Sequence, residues 1–146
     1  QVIRVLVILV HIKKRNEGVL MLQIDKTSNK PLFEQVVLGI KEEVLQGILL
    51  PGDKLLSVRE MASELLINPN TISKAYKVLE DDEVIVTVRG KGTFIKELDR
   101  DVRDDKQIKK VKQQFVELII EATYLNVTKE ELHGWIDDSV AVSRRA

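Results

Sequence analysis

The chain has 146 residues, and its content of 44% hydrophobic, 4% aromatic and 32% charged residues excludes a disordered or fibrous protein and is typical of a helix-rich domain packed by aliphatic side chains. The formal net charge is +0, so any attraction to nucleic acid must come from a local concentration of cations. The chain contains no cysteine, which excludes disulfides, thiolate metal ligands and a cysteine nucleophile and agrees with a reducing cytoplasm.

The first twenty residues allow two interpretations. The apolar run at residues 2–10 is too short to span a bilayer, and its basic cluster follows the run, unlike that of a secretory signal. Residues 1–20 are therefore either a leader of doubtful origin ahead of a natural start at Met21, with residues 13–18 translated from a ribosome-binding stretch, or an extra β-strand rich in Val and Ile. No membrane partner is predicted.

Two helices are predicted between residues 28 and 66. The first begins with a cap at Ser28 or Asn29 and has Pro31 in its first turn, and Gly47 ends it. Residues 57–60 (SVRE) have the pattern of a capping box, which opens a short second helix.

A third helix and a hairpin follow directly. Asn68 is the predicted cap, Pro69 fits the first turn, and apolar residues then recur at helical spacing. Two short helices around a tight turn form a helix-turn-helix. The β-rich runs 84–88 and 93–96 flank a glycine-containing loop at residues 89–92, so they predict a hairpin that serves as a wing. The predicted buried face of the third helix consists of Ile72, Ala75, Tyr76 and Leu79.

A charged linker at residues 99–105 separates the predicted winged domain, residues 21–98, from a helical dimerisation segment at residues 106–146. Apolar residues in this segment recur three and four residues apart, and a second capping box at residues 128–131 opens the last helix. Two helices are too few to bury this apolar surface alone, so a homodimer is predicted. The residues expected to pack in it are Ile108, Val111, Phe115, Leu118, Ile119, Ala122, Leu125, Leu132, Trp135 and Ile136.

The predicted DNA-binding residues lie around the first turns of the third helix, because that end of a recognition helix enters the major groove. Asn70 can pair with adenine, whereas Asn68 can serve only as a cap. Arg59 lies in the first turn of the second helix, where the dipole disfavours a cation, so a phosphate or a nearby carboxylate must balance it. Cations and glycines in the wing loop suit contact with phosphate or the minor groove. The full set is Arg59, Asn68, Asn70, Thr71, Ser73, Lys74, Lys77, Arg89, Gly90, Lys91 and Gly92.

Charge is predicted to be polarised in this domain. The third helix ends in the acidic residues 80–83 (EDDE), whereas cations lie near its start and in the wing loop. Because the helix dipole does not stabilise anions at a C-terminus, the acidic end is predicted to point away from DNA. Zero net charge therefore conceals a cationic face.

An enzymatic function is not predicted. Only His11 and His133 could act as acid or base near neutral pH, and neither lies near a nucleophile motif. The chain is therefore expected to need no cofactor and no metal.

The motifs together resemble the GntR family of bacterial winged-helix regulators, and within it the YtrA-like subfamily. The resemblance implies a homodimer that binds a palindromic operator in double-stranded DNA, with the residue matching Arg59, the polar residues of the recognition helix and the wing glycines touching DNA. Members of the subfamily have a two-helix C-terminal extension and often regulate transporter operons; the resemblance identifies no small-molecule effector. The motifs that carry it are residues 24–25 (ID), 31–35 (PLFEQ), 51–55 (PGDKL), 57–60 (SVRE), 68–71 (NPNT), 74–76 (KAY), 79–80 (LE) and 89–94 (RGKGTF).

Three positions depart from the family pattern. Leu56 stands where the family usually has proline, Leu66 where glycine is common in the turn, and Glu83 where glycine commonly precedes the wing. If Leu66 adopts a positive φ it is strained, so this turn is expected to differ in shape or to cost stability.

The sequence thus predicts a mainly α fold with a small β wing, acting as a cytoplasmic, sequence-specific DNA-binding regulator, and repression is the expected mode. Two other functions stay open. A protein-interaction adaptor could retain the same scaffold, in which case the cations Arg59, Lys74, Arg89 and Lys91 would not converge on one face. A small-molecule-gated regulator would need a pocket formed by the C-terminal helices.

Overall fold

The computed structural model describes residues 6–11, 19–99 and 101–143. Contacts divide the chain into two compact units, one ending at Leu98 and one beginning at Asp99. The predicted fold class, mainly helical with a small β wing, is confirmed. No described helix is both long enough and apolar enough to cross a membrane. The elements are β1 (Leu6–His11), β2 (Val19–Ile24), α1 (Leu32–Leu45), α2 (Val58–Leu65), α3 (Pro69–Asp81), β3 (Ile85–Val88), β4 (Gly92–Ile95), α4 (Asp105–Tyr124) and α5 (Lys129–Ser143).

The strands β1 and β2 form an antiparallel hairpin at the start of the first unit. Leu22 and Ile24 of β2 are fully buried. A Cβ atom built on Gly39 of α1 would lie 2.6 Å from Cδ2 of Leu22, so the strand can approach the helix because this glycine has no side chain. The interpretation of the first twenty residues as an extra strand therefore describes residues 6–11, whereas the residues on either side of this strand lie outside the described part of the chain.

Helix α1 begins later than the sequence predicted. Its N-cap is Pro31, and no side chain caps it, so the prediction of a cap at Ser28 or Asn29 was wrong. The Ser28 hydroxyl instead accepts a hydrogen bond from the backbone N–H of Lys30 at 3.1 Å, which closes a turn ahead of the helix. The Gln35 side chain holds the same turn through hydrogen bonds to its backbone.

Helices α2 and α3 form the predicted helix-turn-helix. At the start of α2 the Ser57 hydroxyl accepts from the Glu60 amide, and the Glu60 carboxylate accepts from the Ser57 amide, which completes the capping box. Asn68 caps α3, because its side chain accepts from the Asn70 amide at 2.8 Å. Pro69 is the first residue of α3. The buried residues of α3 are those predicted: Ile72, Ala75, Tyr76 and Leu79.

The wing contains more than the predicted hairpin of β3 and β4. The segment before α2 pairs with the free side of β4: the Leu55 amide donates to the Thr93 carbonyl at 2.8 Å, and the Ile95 amide donates to the Asp53 carbonyl at 2.9 Å. Lys54, between these two bonds, forms a bridge with Phe94. The sequence predicted only a turn in this segment, because a single bridge leaves no alternating pattern to detect.

One hydrophobic core unites the elements of the first unit. β2, the three helices and both strands of the wing each contribute buried aliphatic side chains. The largest fully buried side chains are Leu22, Ile24, Ile40, Leu49, Met61, Leu65, Ile72, Leu79, Ile85 and Val36.

The second unit consists of α4 and α5. The Asp104 side chain caps α4 by accepting from the amides of Lys106 and Gln107. Thr128 and Glu131 form the predicted second capping box, in which the Thr128 hydroxyl accepts from the Glu131 amide and the Glu131 carboxylate accepts from the Thr128 amide. Within the described single chain, no residue of α4 is buried.

Candidate nucleic-acid interface

Four polar side chains form a stripe along the exposed side of α3. Asn70, Ser73, Lys74 and Lys77 are all exposed, and they share one side because helical residues three and four apart are neighbours. They lie off the buried face of the helix, as the sequence predicted. We call these four residues the α3 stripe. Thr71, the remaining predicted residue of this turn, is half-buried.

The position of Lys74 is set by an aromatic ring. Its ammonium lies 3.8 Å from the centroid of the Phe33 ring, near the start of α1. A contact of this kind at an exposed site is worth about 0.5–1 kcal/mol. It restricts one cation of the α3 stripe and links it to another helix. The sequence analysis did not identify Phe33 as part of the site.

Arg59 lies at the start of α2, beside the capping box, and its side chain is exposed. Neither Glu60 nor Glu64 forms an ion pair with it in the described structure. Hydrogen bonds from Ser57 hold the pKa of the Glu60 carboxyl below its ordinary value, and the nearby Lys54 ammonium lowers it further. Glu60 is thus committed to capping the helix, and an external anion as the partner of Arg59 stays a prediction.

A buried hydrogen bond joins α3 to the start of α2. The Tyr76 hydroxyl donates to the Leu56 carbonyl at 2.6 Å, one residue before the cap Ser57. Burial raises the pKa of the Tyr76 phenol, and the Glu60 carboxylate raises it further. The phenol therefore stays protonated and available as a donor, and it fixes the start of α2, with Arg59, relative to the recognition helix.

The wing loop, residues 89–92, carries two exposed cations, Arg89 and Lys91. Gly90 has φ 77° and Gly92 has φ 122°, backbone conformations that glycine adopts far more readily than other residues. A Cβ atom at Gly90 would face open space, whereas one at Gly92 would lie 2.6 Å from Cε of Lys54. The close approach that Gly92 permits is therefore made by a side chain of the same unit.

The acidic end of α3 is tied to neighbouring elements. Asp82 pairs with Lys41 of α1 at 2.6 Å, and Glu83 pairs with Lys96 after β4 at 3.3 Å. The Glu80 carboxylate accepts a hydrogen bond from the backbone of β3. These carboxylates thus stabilise the packing of α3 at the end opposite its polar first turn.

The turn between α2 and α3 and the junction before the wing are both strained. Leu66 has φ 52° and Glu83 has φ 58°, so the positive φ expected for Leu66 is confirmed. A left-handed conformation costs a residue with a side chain about 1–2 kcal/mol. The Leu66 side chain is 73% exposed, so its burial offsets little of that cost. The Lys26 ammonium donates to the Leu66 carbonyl at 2.9 Å, which satisfies an acceptor at the end of α2.

The residues predicted to form the dimer are largely exposed within one chain. Leu118 and Ile120 are both 62% exposed, and positions two apart on a helix lie on different sides of it. α4 therefore presents apolar surface in more than one direction. Among the other predicted residues Ile119, Ala122 and Leu132 are half-buried, and the exposed ones are Ile108, Val111, Phe115, Leu125, Trp135 and Ile136.

A cleft of about 430 Å³ opens between α4 and α5. Most of its lining is apolar, with Lys129 and His133 as its charged or titratable side chains. In the described part of the chain, no group of three or more His, Cys, Asp or Glu residues could hold a metal ion. The side chain of His11 is not among those described. The lining residues are Phe115, Ile119, Thr123, Val127, Lys129, Leu132, His133 and Ile136.

Comparison with known proteins identifies the family. The profile of the bacterial regulatory proteins of the gntR family matches residues 32–95. The chain is also 47% identical over 118 residues to the HTH-type transcriptional repressor YtrA of Bacillus subtilis (strain 168), an alignment that covers 81% of this chain and 91% of that protein. The chain belongs to the GntR family.

Solved structures agree with this GntR-family assignment. A crystal structure of a transcriptional antiterminator from Listeria monocytogenes EGD-e superposes with a TM-score of 0.78 at 42% identity, covering 84% of this chain and 91% of that one. YtrA from Sulfolobus acidocaldarius, a GntR-family transcription factor, superposes with a TM-score of 0.54 at 32% identity, covering 66% of this chain and 97% of that one. The expected likeness to the YtrA-like subfamily is confirmed. The GntR-family chain is a winged-helix transcriptional regulator and not an enzyme, as the sequence predicted.

Proposed function

We propose that this regulator is a homodimeric repressor that binds a palindromic operator in duplex DNA. Its DNA face consists of Arg59, the α3 stripe and the wing loop, with Asn68 and Thr71 beside the stripe. The polarity of α3 carries the proposal: its exposed polar and cationic side chains lie toward its start, whereas its terminal carboxylates are tied to α1 and the wing. DNA phosphates would meet the first end and not the second.

Each part of the DNA face has a distinct proposed role. Entry of α3 into the major groove would bring Asn70 to base edges, where a bidentate pair with adenine contributes about 1–3 kcal/mol of discrimination. Lys74, Lys77 and Arg59 would contact phosphates, which fix the register without reading sequence. The wing loop would contact the adjacent backbone or minor groove.

The exposed apolar surface of the second unit supports a homodimer. Leu118 and Leu125, 62% and 76% exposed, would lie in water if the chain acted alone, at a cost that pairing with a second copy removes. Two copies would place two recognition helices on half-sites about 34–36 Å apart. A palindromic operator follows from the two-fold symmetry of such a dimer.

The regulated genes are inferred from likeness. The Bacillus subtilis relative is named a repressor, which supports repression here, and the subfamily resemblance favours a transporter operon. We place the regulator in the cytoplasm, where its operator would lie. No effector is assigned.

Selection of bound duplexes from a random pool, with the mass of the free protein measured alongside, tests this proposal. We expect a palindromic consensus and a protein twice the mass of the chain. In binding assays Lys91→Ala should weaken binding to all sequences alike, whereas Asn70→Ala should weaken operator binding and leave random DNA nearly unaffected. Equal losses on both DNAs for Asn70→Ala would contradict base readout by that residue.

A small-molecule-gated regulator is the second candidate, and the cleft between α4 and α5 is the observation that favours it. Its lining offers few polar groups to orient a ligand beyond Lys129 and His133. Phe115, Ile119 and Ile136 of the predicted dimer surface also line it, so a second copy of the chain is the better-supported occupant. An adaptor that does not bind DNA would be indicated if the selection yielded no duplex.

A further inference from the structure

We propose that Lys54, which lies outside the DNA face defined above, is an additional contact to the DNA backbone, held between the start of α2 and the wing loop. This inference rests on the proposed DNA-binding function. It adds a residue from a third segment of the chain to a face otherwise supplied by α2, α3 and the wing.

The backbone on both sides of Lys54 is fixed to the wing. The Asp53 carbonyl accepts from the Ile95 amide, and the Leu55 amide donates to the Thr93 carbonyl. Lys54 itself forms the bridge to Phe94. Its Cα atom therefore moves with β4, in contrast to a lysine on a free loop.

The side chain of Lys54 extends across the wing. A Cβ atom built on Gly92 would lie 2.6 Å from Cε of Lys54 and 3.3 Å from its Nζ. Gly92 follows Lys91 directly and adopts φ 122°, so both its conformation and the space beside it favour glycine. The missing side chain at Gly92 leaves room for the Lys54 stem, and the ammonium consequently lies beside the wing loop.

The ammonium of Lys54 is not used to neutralise a carboxylate. The ion pairs of the described residues join Lys41 with Asp82 and Lys96 with Glu83. Glu60, the carboxylate that Lys54 influences, is held by Ser57 in the capping box. An exposed cation that is positioned by backbone pairing and lies close to Glu60, the neighbour of Arg59, suits a phosphate oxygen.

A purely structural role for Lys54 makes a different prediction. In that case the stem serves as a spacer over Gly92, and the charge is irrelevant. Lys54→Met separates the two roles, because methionine keeps an unbranched apolar stem and removes the ammonium. Lys54→Arg keeps the charge. Lys96→Met, beyond the other end of β4, is the matched control for loss of one cation from the same small sheet.

The test measures affinity for operator and for random duplex DNA over a range of salt concentrations, together with thermal melting. We expect Lys54→Met to weaken binding to both DNAs alike, by about fivefold at 0.15 M salt, and to reduce the salt slope by about 0.9, the value for one released counterion. Melting should not change. Lys54→Arg should bind like the original chain, and Lys96→Met should leave the slope unchanged.

Several results would overturn the proposal. An unchanged slope for Lys54→Met would make Lys54 a spacer only, as would a loss of affinity that appears together with lower thermal stability. Equal slope changes for Lys54→Met and Lys96→Met would show a general effect of net charge. If the original chain bound neither DNA, the proposed function itself would fail, and this inference with it; binding by the original chain combined with an unchanged Lys54→Met slope refutes the Lys54 contact alone.

Discussion

The two units of this regulator differ in how they bury apolar side chains. In the first unit Ile40, Ile72 and Leu79 are fully buried, within a core shared by three helices and the strands of the wing. In the second unit no residue of α4 is buried in the single chain, although the helix is rich in Val, Ile and Leu. The first unit therefore contains the partners for its own apolar faces, whereas the second requires partners from outside itself.

Local helix signals do not produce this difference, because both units use the same device. Ser57 and Glu60 begin α2 with a capping box, and Thr128 and Glu131 begin α5 with another. Capping determines where a helix starts and contributes about 1 kcal/mol. What covers the helix afterwards depends on residues far away in the sequence or in another chain.

The largest effect is expected from a charge placed in the apolar surface of α4. Phe115→Glu would bury two carboxylates, one per copy, in the proposed dimer, and an unpaired buried charge costs several kcal/mol. We expect a monomer in sedimentation experiments and a loss of operator affinity of about 100-fold or more, because the two half-sites are no longer bound together. A variant that remains dimeric would show that Phe115 does not pack in the interface.

Two control variants separate association from folding. Lys110→Glu adds a carboxylate at an exposed polar position of the same helix, and it should stay dimeric. Leu79→Ala removes a fully buried side chain and should cost the first unit about 2–5 kcal/mol. That loss should not depend on protein concentration, whereas the stability of the second unit should. Concentration dependence in both units would break the distinction between them.

A smaller effect of opposite sign is expected in the turn of the helix-turn-helix. Leu66→Gly should stabilise the first unit by about 1 kcal/mol, because glycine adopts φ 52° without strain. The greater entropy of glycine in the unfolded chain offsets part of this gain. Leu66→Ala is the matched control: it removes the exposed side chain but keeps the Cβ atom and hence the strain. Equal stabilities of the two variants in urea denaturation would contradict the strain argument.

The sequence was sufficient to predict features that depend on neighbouring residues. The buried face of α3 and the capping boxes follow from spacings of three and four residues, which the helix converts directly into contact. Leu66 was recognised as strained because a turn with a required backbone conformation stands out where glycine is absent. The start of α1 was predicted incorrectly because Ser28 forms a turn of its own, and a serine before a helix has the same sequence pattern in both cases.

Contacts between distant segments could not be predicted in the same way. Phe33 and Lys74 are far apart in the sequence, as are Lys54 and Gly92, yet each pair meets in the fold. Spacing carries no information about such pairs. The only signal for Lys54 was a lysine within a motif that resembled the family, and a motif gives identity without geometry. Site residues brought in by the third strand of the wing therefore required the structure.

The smallest expected effect compares the two capping boxes through their pH dependence. Hydrogen bonds from Ser57 and from Thr128 hold the pKa values of Glu60 and Glu131 below the ordinary 4.5. The unfolded chain therefore binds more protons than the folded chain in the window between the two pKa values, so this stabilisation is present above about pH 4.5 and is lost as the pH falls through the folded-state pKa. Glutamine can preserve the capping bond but does not titrate, so Glu60→Gln should flatten the acid-induced loss of stability in the first unit, and Glu131→Gln should do so in the second. Trp135, the single tryptophan of the chain, reports unfolding of the second unit by fluorescence, and hydrogen exchange of the α2 amides reports the first. If Glu131→Gln altered the pH profile of α2 exchange as strongly as that of Trp135 fluorescence, the two units would be unfolding together, and the contrast between a self-sufficient unit and a partner-dependent one would have to be abandoned.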